Sequence, residues 1–173
     1  EAAAFALLDR SADGASIHLL GAGESCDAYH MSAPHPEGLG ARLAMERALH
    51  SAGLAPADVG YVNLHGTGTP SNDAAEDKAV MSLLGAKVPC SSTKGWTGHT
   101  LGAAGGLEAL ITMLAIEEGF IPGSPGTLSI DPQLHANYVI RGREATIEAA
   151  MSNSFGFGGS NCSLVFGRPA RTA

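Results

Sequence analysis

Val59-Gly-Tyr-Val-Asn-Leu-His65-Gly-Thr-Gly-Thr-Pro70 is the stretch that decides the fold. Val59 to Leu64 is a short apolar run, the pattern of a strand buried on both faces. At His65 it breaks into glycine and hydroxyl residues. Asp73 to Leu84 then predicts a helix, with Asp73 near the N-terminus, where a carboxylate favours the helix dipole. Strand, glycine-rich loop and helix, in that order, form half of a parallel α/β unit.

The same order recurs on either side. Towards the N-terminus, Ala2 to Leu8 and Ile17 to Gly23 predict strands, joined by the turn Ser11-Ala-Asp-Gly14. Glu24 to Gly40, with Pro34 and Pro36, predicts a loop. Ala41 to Ala52 predicts a helix that Gly53 ends. Towards the C-terminus, Val88 to Ser91 predicts a strand, and Leu101 to Glu118 a helix apolar nearly all round and therefore central. Thr146 to Met151 and Cys162 to Phe166 predict two more strands around the turn Phe155-Gly-Phe-Gly-Gly159. This alternation predicts an α/β fold with a largely parallel sheet covered on both faces. The chain is too short for a barrel of eight units and has no internal repeat.

Composition narrows the function. The 173 residues are 45% hydrophobic and 16% charged, the balance of a globular domain with a real core. A formal net charge of -7 argues against nonspecific nucleic-acid binding. No run of about 18 apolar residues predicts a membrane span, and no secretory leader is evident. Cys26, Cys90 and Cys162 are too few and too scattered for a disulfide framework, and no C-x-x-C suggests zinc. Small buried hydrophobe is the ordinary reading for each, and a reducing cytoplasm fits. The first residue is Glu1 and not Met, which points to a processed or trimmed chain.

Three segments carry candidate chemistry. His65 follows a buried strand, and open α/β sheets bind ligands at the carboxyl ends of their strands. The alternative is a satisfied turn histidine. Ser91-Ser-Thr-Lys94-Gly-Trp-Thr-Gly98-His99 leads into the apolar helix, whose dipole favours a neutral, N–H-donating His99. A snorkelling surface residue is the alternative for Lys94. Ser152-Asn-Ser-Phe-Gly-Phe-Gly-Gly-Ser-Asn161 offers backbone N–H groups to a developing negative charge. Its alternative is a tight hairpin with buried aromatics.

Together these segments carry more than any does alone. With Asp27-Ala-Tyr-His30-Met, Leu101-Gly-Ala-Ala-Gly105 and Asn153-Ser-Phe-Gly-Phe-Gly-Gly159, they make the chain resemble the C-terminal half of elongating β-ketoacyl synthases of fatty-acid and polyketide assembly. The resemblance covers nearly the whole chain. It implies a thiolase-like α/β fold, with residues 1–173 as the second βαβαβαββ half: a mixed sheet with a buried central helix.

The resemblance also implies an acyltransferase that decarboxylates a malonyl thioester on acyl carrier protein and condenses it with an enzyme-bound acyl group. His65 and His99 would stabilise the enolate. Lys94 would position them, paired with Glu76. Phe157 would gate the acyl pocket and lend its N–H to an oxyanion hole. Thr67 and Thr69 would bind the pantetheine arm. Asn63, Glu108, Ser152 and Asn153 match a structural cation site of some members. No cofactor is implied beyond the carrier's phosphopantetheine.

The implied partners are an N-terminal half carrying the cysteine nucleophile, expected upstream of Glu1, and acyl carrier protein, in a homo- or heterodimer. Neither nucleic acid nor membrane is expected. Three departures stand out: no cysteine here lies in a nucleophile context, Trp96 replaces a smaller residue, and the chain is acidic like its carrier. A non-condensing chain-length factor is the alternative, although such subunits tend to lose the histidine pair. A degradative thiolase would need a second cysteine where Phe157-Gly-Gly-Ser-Asn161 stands.

Overall fold

A computed structural model describes residues 1–10, 14 and 16–168. The first strand, β1 (His18–Cys26), leads to α1 (Leu39–Ala52), β2 (Tyr61–Asn63), α2 (Pro70–Leu84) and β3 (Pro89–Ser91). Then come the short α3 (Lys94–Thr97), α4 (Ala104–Glu118), β4 (Phe120–Ile121), β5 (Asn137–Tyr138) and β6 (Arg143–Glu144). The long strands β7 (Ala149–Phe155) and β8 (Ser160–Gly167) close the chain.

Six strands form one mixed sheet in the order β1-β8-β7-β2-β3-β5. β7, β2, β3 and β5 run parallel, while β8 is antiparallel to both β7 and β1. β4 and β6 make a separate small antiparallel pair.

Neighbouring residues of the central strands point to opposite sides, so each strand feeds two cores. Val62, Met151 and Val165 pack with Met45, Leu49, Ala79 and Val80 under α1 and α2. Tyr61, Ala150 and Phe166 pack with Ala115, Ile116, Ile121 and Ile147 under α4. Each large side chain buried this way contributes about 1.5–3 kcal/mol. The cost of placing backbone in this interior is met by the ladders, which is why β2 and β7 tolerate full burial.

α1 lies unusually close to β1. A Cβ on Gly23 would collide with the backbone of Ala44 and Ala48, and one on Gly21 with Ala48 and Ala52. Only glycine admits that approach. The helix stops at Gly53, whose φ is 67°. Leu54 N–H then reaches back to Leu49 O at 3.1 Å, the bond of a Schellman end.

Several expectations need correction. Ala2 to Leu8 forms no strand; Phe5, Leu7 and Leu8 are exposed. The segment pairs with neither sheet edge, and an apolar run without a partner strand has no ladder to join. Of the predicted turn, residues 11–13 lie outside the described residues. β1 continues to Cys26, three residues into the predicted loop, because it pairs with β8 over that length. β7 begins at Ala149, not Thr146, and runs to Phe155.

The apolar helix is buried along one face only. Ala104, Glu108, Thr112, Ala115 and Ile116 face the sheet, while Leu110 and Leu114 are each 45% exposed. An all-apolar composition identified a helix without showing which of its faces this chain itself covers.

Candidate functional site

The site is assembled at the carboxyl ends of β2 and β3. Leu64 N–H bonds to Ser91 O at 2.9 Å and extends the parallel pairing to the edge of the loop. The chain then turns at Gly66, with φ at 38° and the Ser92 side chain against the place a Cβ would occupy. Ser92 Oγ donates to Gly66 O at 2.7 Å. This brings the two loops together.

Glu76, from α2, holds the first loop from below. Its carboxylate accepts the N–H of His65 at 2.9 Å and of Gly66 at 2.8 Å. Asn153 Nδ2 adds a third bond at 3.2 Å. Burial pushes the carboxyl up to about 7, against the pull of these donors and of Lys94.

Lys94 does not pair with Glu76. It pairs with Glu108 of α4, and both side chains are buried. Lys94 Nζ also donates to His65 O at 2.5 Å. The reason is placement: both Glu76 oxygens are taken up by backbone and amide donors, whereas Glu108 is the acid that the buried face of α4 turns towards Lys94. Burial raises the Glu108 carboxyl and the Lys94 contact draws it back. A sequence signal for this pair existed, because a lone acid on the buried stripe of an apolar helix needs a partner.

His65 and His99 come together from loops 34 positions apart. Their ring centroids are 5.3 Å apart, edge to face at 82°. His65 is buried, whereas His99 is exposed. Burial, then the charge of Lys94, lowers the pKa of both; that of His65 falls to about 3. Both rings are therefore neutral near pH 7. Lys94 Nζ lies 3.4 Å from His65 Nδ1. An ammonium only donates, so His65 Nδ1 accepts and its proton sits on Nε2.

A cavity of about 320 Å³ opens beside this cluster, with Thr67, Ser92, Lys94, His99 and Tyr138 among its lining. Thr67 and Thr69 hydroxyls bond each other at 2.8 Å and are exposed. Phe157 is exposed on the turn between β7 and β8. That turn is tied by Gly158 N–H to Met31 O at 2.8 Å. The aromatic ring against His65 is instead Phe155, at 5.8 Å. Sequence reading missed Phe155, which ends a strand and carries no polar group. Trp96 is exposed and does not line the cavity.

The four residues matched to a cation site divide. Asn63 Oδ1, Glu108 Oε2 and Ser152 Oγ are buried without a hydrogen-bond partner. Asn63 and Ser152 are opposite one another in the β2–β7 ladder, and Asn63 Nδ2 donates to Glu108 O at 3.3 Å. Asn153 is otherwise engaged: its Oδ1 accepts from Ser163 at 2.8 Å. Three orphaned oxygens fit a hard cation, since oxygen donors suit ions of that class. Among the described residues no group of three or more His, Cys, Asp or Glu is placed to hold a metal.

No cysteine is placed as a nucleophile near the histidines. Cys90 is buried in the core and Cys162 is half-buried, and burial raises both thiols. Cys26 lies at the end of β1 beside Gly158 O. Among the described residues no helix is long and apolar enough to cross a membrane.

The chain has clear relatives among known proteins. It is 44% identical over 161 residues to 3-oxoacyl-[acyl-carrier-protein] synthase 2 of Synechocystis, covering 90% of this chain and 39% of that protein. The Vibrio harveyi protein of the same name is 46% identical over 162 residues, again covering 90% and 39%. A Xenorhabdus doucetiae ketosynthase, solved with its chain length factor, superposes with a TM-score of 0.85 at 48% identity, covering 91% of this chain and 40% of that one. A β-ketoacyl synthase from Burkholderia phymatum gives 0.84 at 36%, covering 89% and 38%. The chain thus spans about two fifths of the length of the curated relatives it matches. Residues 17–127 match the family described as β-ketoacyl synthase, C-terminal domain, and the chain belongs to that family.

Proposed function

We propose that this chain supplies the enolate-stabilising half of a decarboxylating β-ketoacyl-acyl carrier protein synthase. The observation that carries the reading is the contact between two neutral imidazoles, His65 and His99, the second of which lines the cavity. Decarboxylation of a malonyl thioester breaks the bond between the α-carbon and the carboxylate. The electron pair moves into an enolate whose charge rests on the thioester oxygen, and carbon dioxide leaves.

Two N–H donors aimed at that oxygen stabilise the charge as it develops, each contributing about 3–4 kcal/mol by analogy with oxyanion-hole donors. His65 donates from Nε2 because Lys94 occupies its Nδ1 side. The enolate carbon then attacks an acyl thioester on a cysteine of the N-terminal half, and the cysteine thiolate leaves. That half, together with acyl carrier protein, is the proposed partner, in a homo- or heterodimer. Thr67, which lines the cavity, and Thr69 would take the pantetheine arm, and Phe157 would gate the acyl pocket. A cation held by Asn63, Glu108 and Ser152 would tie β2, β7 and α4 together. The reaction calls for no cofactor besides the carrier's phosphopantetheine, and the cytoplasm is its proposed setting.

A chain-length factor is the second reading, and such a subunit accompanies the Xenorhabdus relative. The assembled histidine pair favours the synthase, because a non-condensing subunit has no enolate to stabilise. The test uses this chain together with its N-terminal half. His65→Ala and His99→Ala are each expected to slow malonyl-thioester decarboxylation about 10²- to 10³-fold. The double variant is expected to fall well short of the product, since both donors serve one oxygen. Unchanged decarboxylation in the double variant would end the assignment.

A further inference from the structure

Two consecutive carboxylates on α2 hold different parts of the chain. Glu76 takes the N–H groups of His65 and Gly66. Asp77, about 100° further round the helix, faces the other way and is buried. Its Oδ1 accepts His135 N–H at 2.8 Å, Ala136 N–H at 2.9 Å and the Tyr138 hydroxyl at 2.8 Å.

Residues 128–136 have neither helix nor strand. Among the described residues, Asp77 is where their hydrogen bonds to a distant part of the chain end, and Ala136 O accepts the N–H of neighbouring Tyr138 at 3.0 Å. Their other bonds are internal: Leu134 N–H to Asp131 O, and Gln133 N–H to Asp131 Oδ1. The cavity lies between the two tethered pieces. Gly66 and Thr67 stand on the Glu76 side, Leu134 and Tyr138 on the Asp77 side, and Lys94 and His99 also line it.

We propose that Asp77 is a positioning residue that fixes the Leu134–Tyr138 wall of this cavity and so sets the fit of the malonyl thioester beside His99. The inference rests on the function proposed above for the identity of the occupant. The chemistry suits the task. One oxygen of a buried carboxylate takes three donors, and the Tyr138 hydroxyl is one of them. Burial and the neighbouring carboxylate both raise the Tyr138 pKa, which keeps that proton in place. Removing Asp77 removes the strap's polar anchor without touching the histidines or Lys94.

The test compares Asp77→Ala, Asp77→Asn and Tyr138→Phe in the synthase assembled with its N-terminal half. Decarboxylation is normalised to the fraction of acylatable enzyme, and amide exchange is followed at His135 and Ala136. Asp77→Ala is expected to speed exchange at both amides and raise KM for the malonyl thioester roughly 5- to 10-fold, with kcat changed less than about 3-fold. Asp77→Asn keeps an acceptor oxygen and is expected to recover most of the loss. Tyr138→Phe leaves the amides protected and is expected to raise KM about 2- to 3-fold.

A merely structural role would lower thermal stability and leave KM alone. Faster exchange with unchanged KM in Asp77→Ala therefore overturns the proposal, as does an Asp77→Asn as damaged as Asp77→Ala. If Asp77→Ala does not fold, Tyr138→Phe decides, and its unchanged KM overturns the proposal. A wild-type enzyme that never decarboxylates a malonyl thioester overturns the function itself, and this inference with it.

Discussion

Lys94→Met separates the electrostatic part of the site from its packing. The native ammonium is buried against Glu108, with 6% and 1% of the two side chains exposed. Methionine keeps the length of the side chain and deletes the charge. Glu108 is then left buried without its cation, and breaking a buried pair from one side costs about 3–5 kcal/mol. Lys94→Met/Glu108→Gln removes both charges and is expected to regain most of that stability, because a neutral pair needs no counter-charge.

The catalytic consequence runs through His65. Burial is the larger cause of its lowered pKa, and the charge of Lys94 is the second. The His65 pKa should therefore rise from about 3 in both variants and still stay below its ordinary value. The Nδ1 partner is lost as well, so the ring is no longer held as the Nε2–H tautomer. Decarboxylation is expected to slow about 10- to 100-fold, less than the loss on removing the imidazole itself. Urea unfolding measures the first effect, and ring-nitrogen NMR of His65 with the decarboxylation rate measures the second. The reasoning fails if Lys94→Met unfolds at the wild-type midpoint, or if His65 keeps its titration and tautomer in the double variant.

Two further predictions follow from the same geometry. Burial raises the Glu76 carboxyl from 4.5 to about 7, so between those values the folded state binds a proton that the unfolded chain does not. Stability from this group is fully present below pH 4.5 and is lost as pH rises through 7, by about 3 kcal/mol; Glu76→Gln should abolish that dependence, and an equal stability gap between the two proteins at pH 5 and pH 8 would contradict it. Gly23→Ala drives a Cβ into the backbone of Ala44 and Ala48 and is expected to cost about 1–3 kcal/mol in urea unfolding, whereas Gly102→Ala, with no neighbouring atom within 4 Å, should be close to neutral.

Sequence patterning located the parts of the fold that depend on local chemistry. The apolar run ending at His65 is β2, Gly53 does end α1, and the turn around Phe157 does join two strands. What patterning missed depends on neighbours. Ala2 to Leu8 has the composition of a strand and lacks a partner here. The leucines of α4 are as apolar on the exposed face as on the buried one. In the site, the resemblance brought His65 and His99 together, since no spacing rule links loops 34 positions apart. It misassigned the partner of Lys94, because choosing between Glu76 and Glu108 requires knowing which carboxylate the backbone has already claimed. Asp77 went unnoticed beside Glu76, since two adjacent acids on a helix usually read as a solvated turn.

The division of labour among the acids explains how one buried cation serves two imidazoles without charging them. Were Glu76 the partner of Lys94, its carboxylate would leave the His65 and Gly66 amides, and the loop bearing the first histidine would lose its tether. Were Glu108 absent, the ammonium would be buried without its counter-charge, against only carbonyl and imidazole acceptors, and a buried cation without its partner is costly. Glu108 therefore acts on the histidines indirectly: it holds Lys94 in place beside His65, and the charge of Lys94 helps lower the pKa of both rings. Glu76 fixes where the first ring stands, and Glu108 helps determine what charge it carries. The two functions require two carboxylates on different helices, α2 on one side of the sheet and α4 on the other.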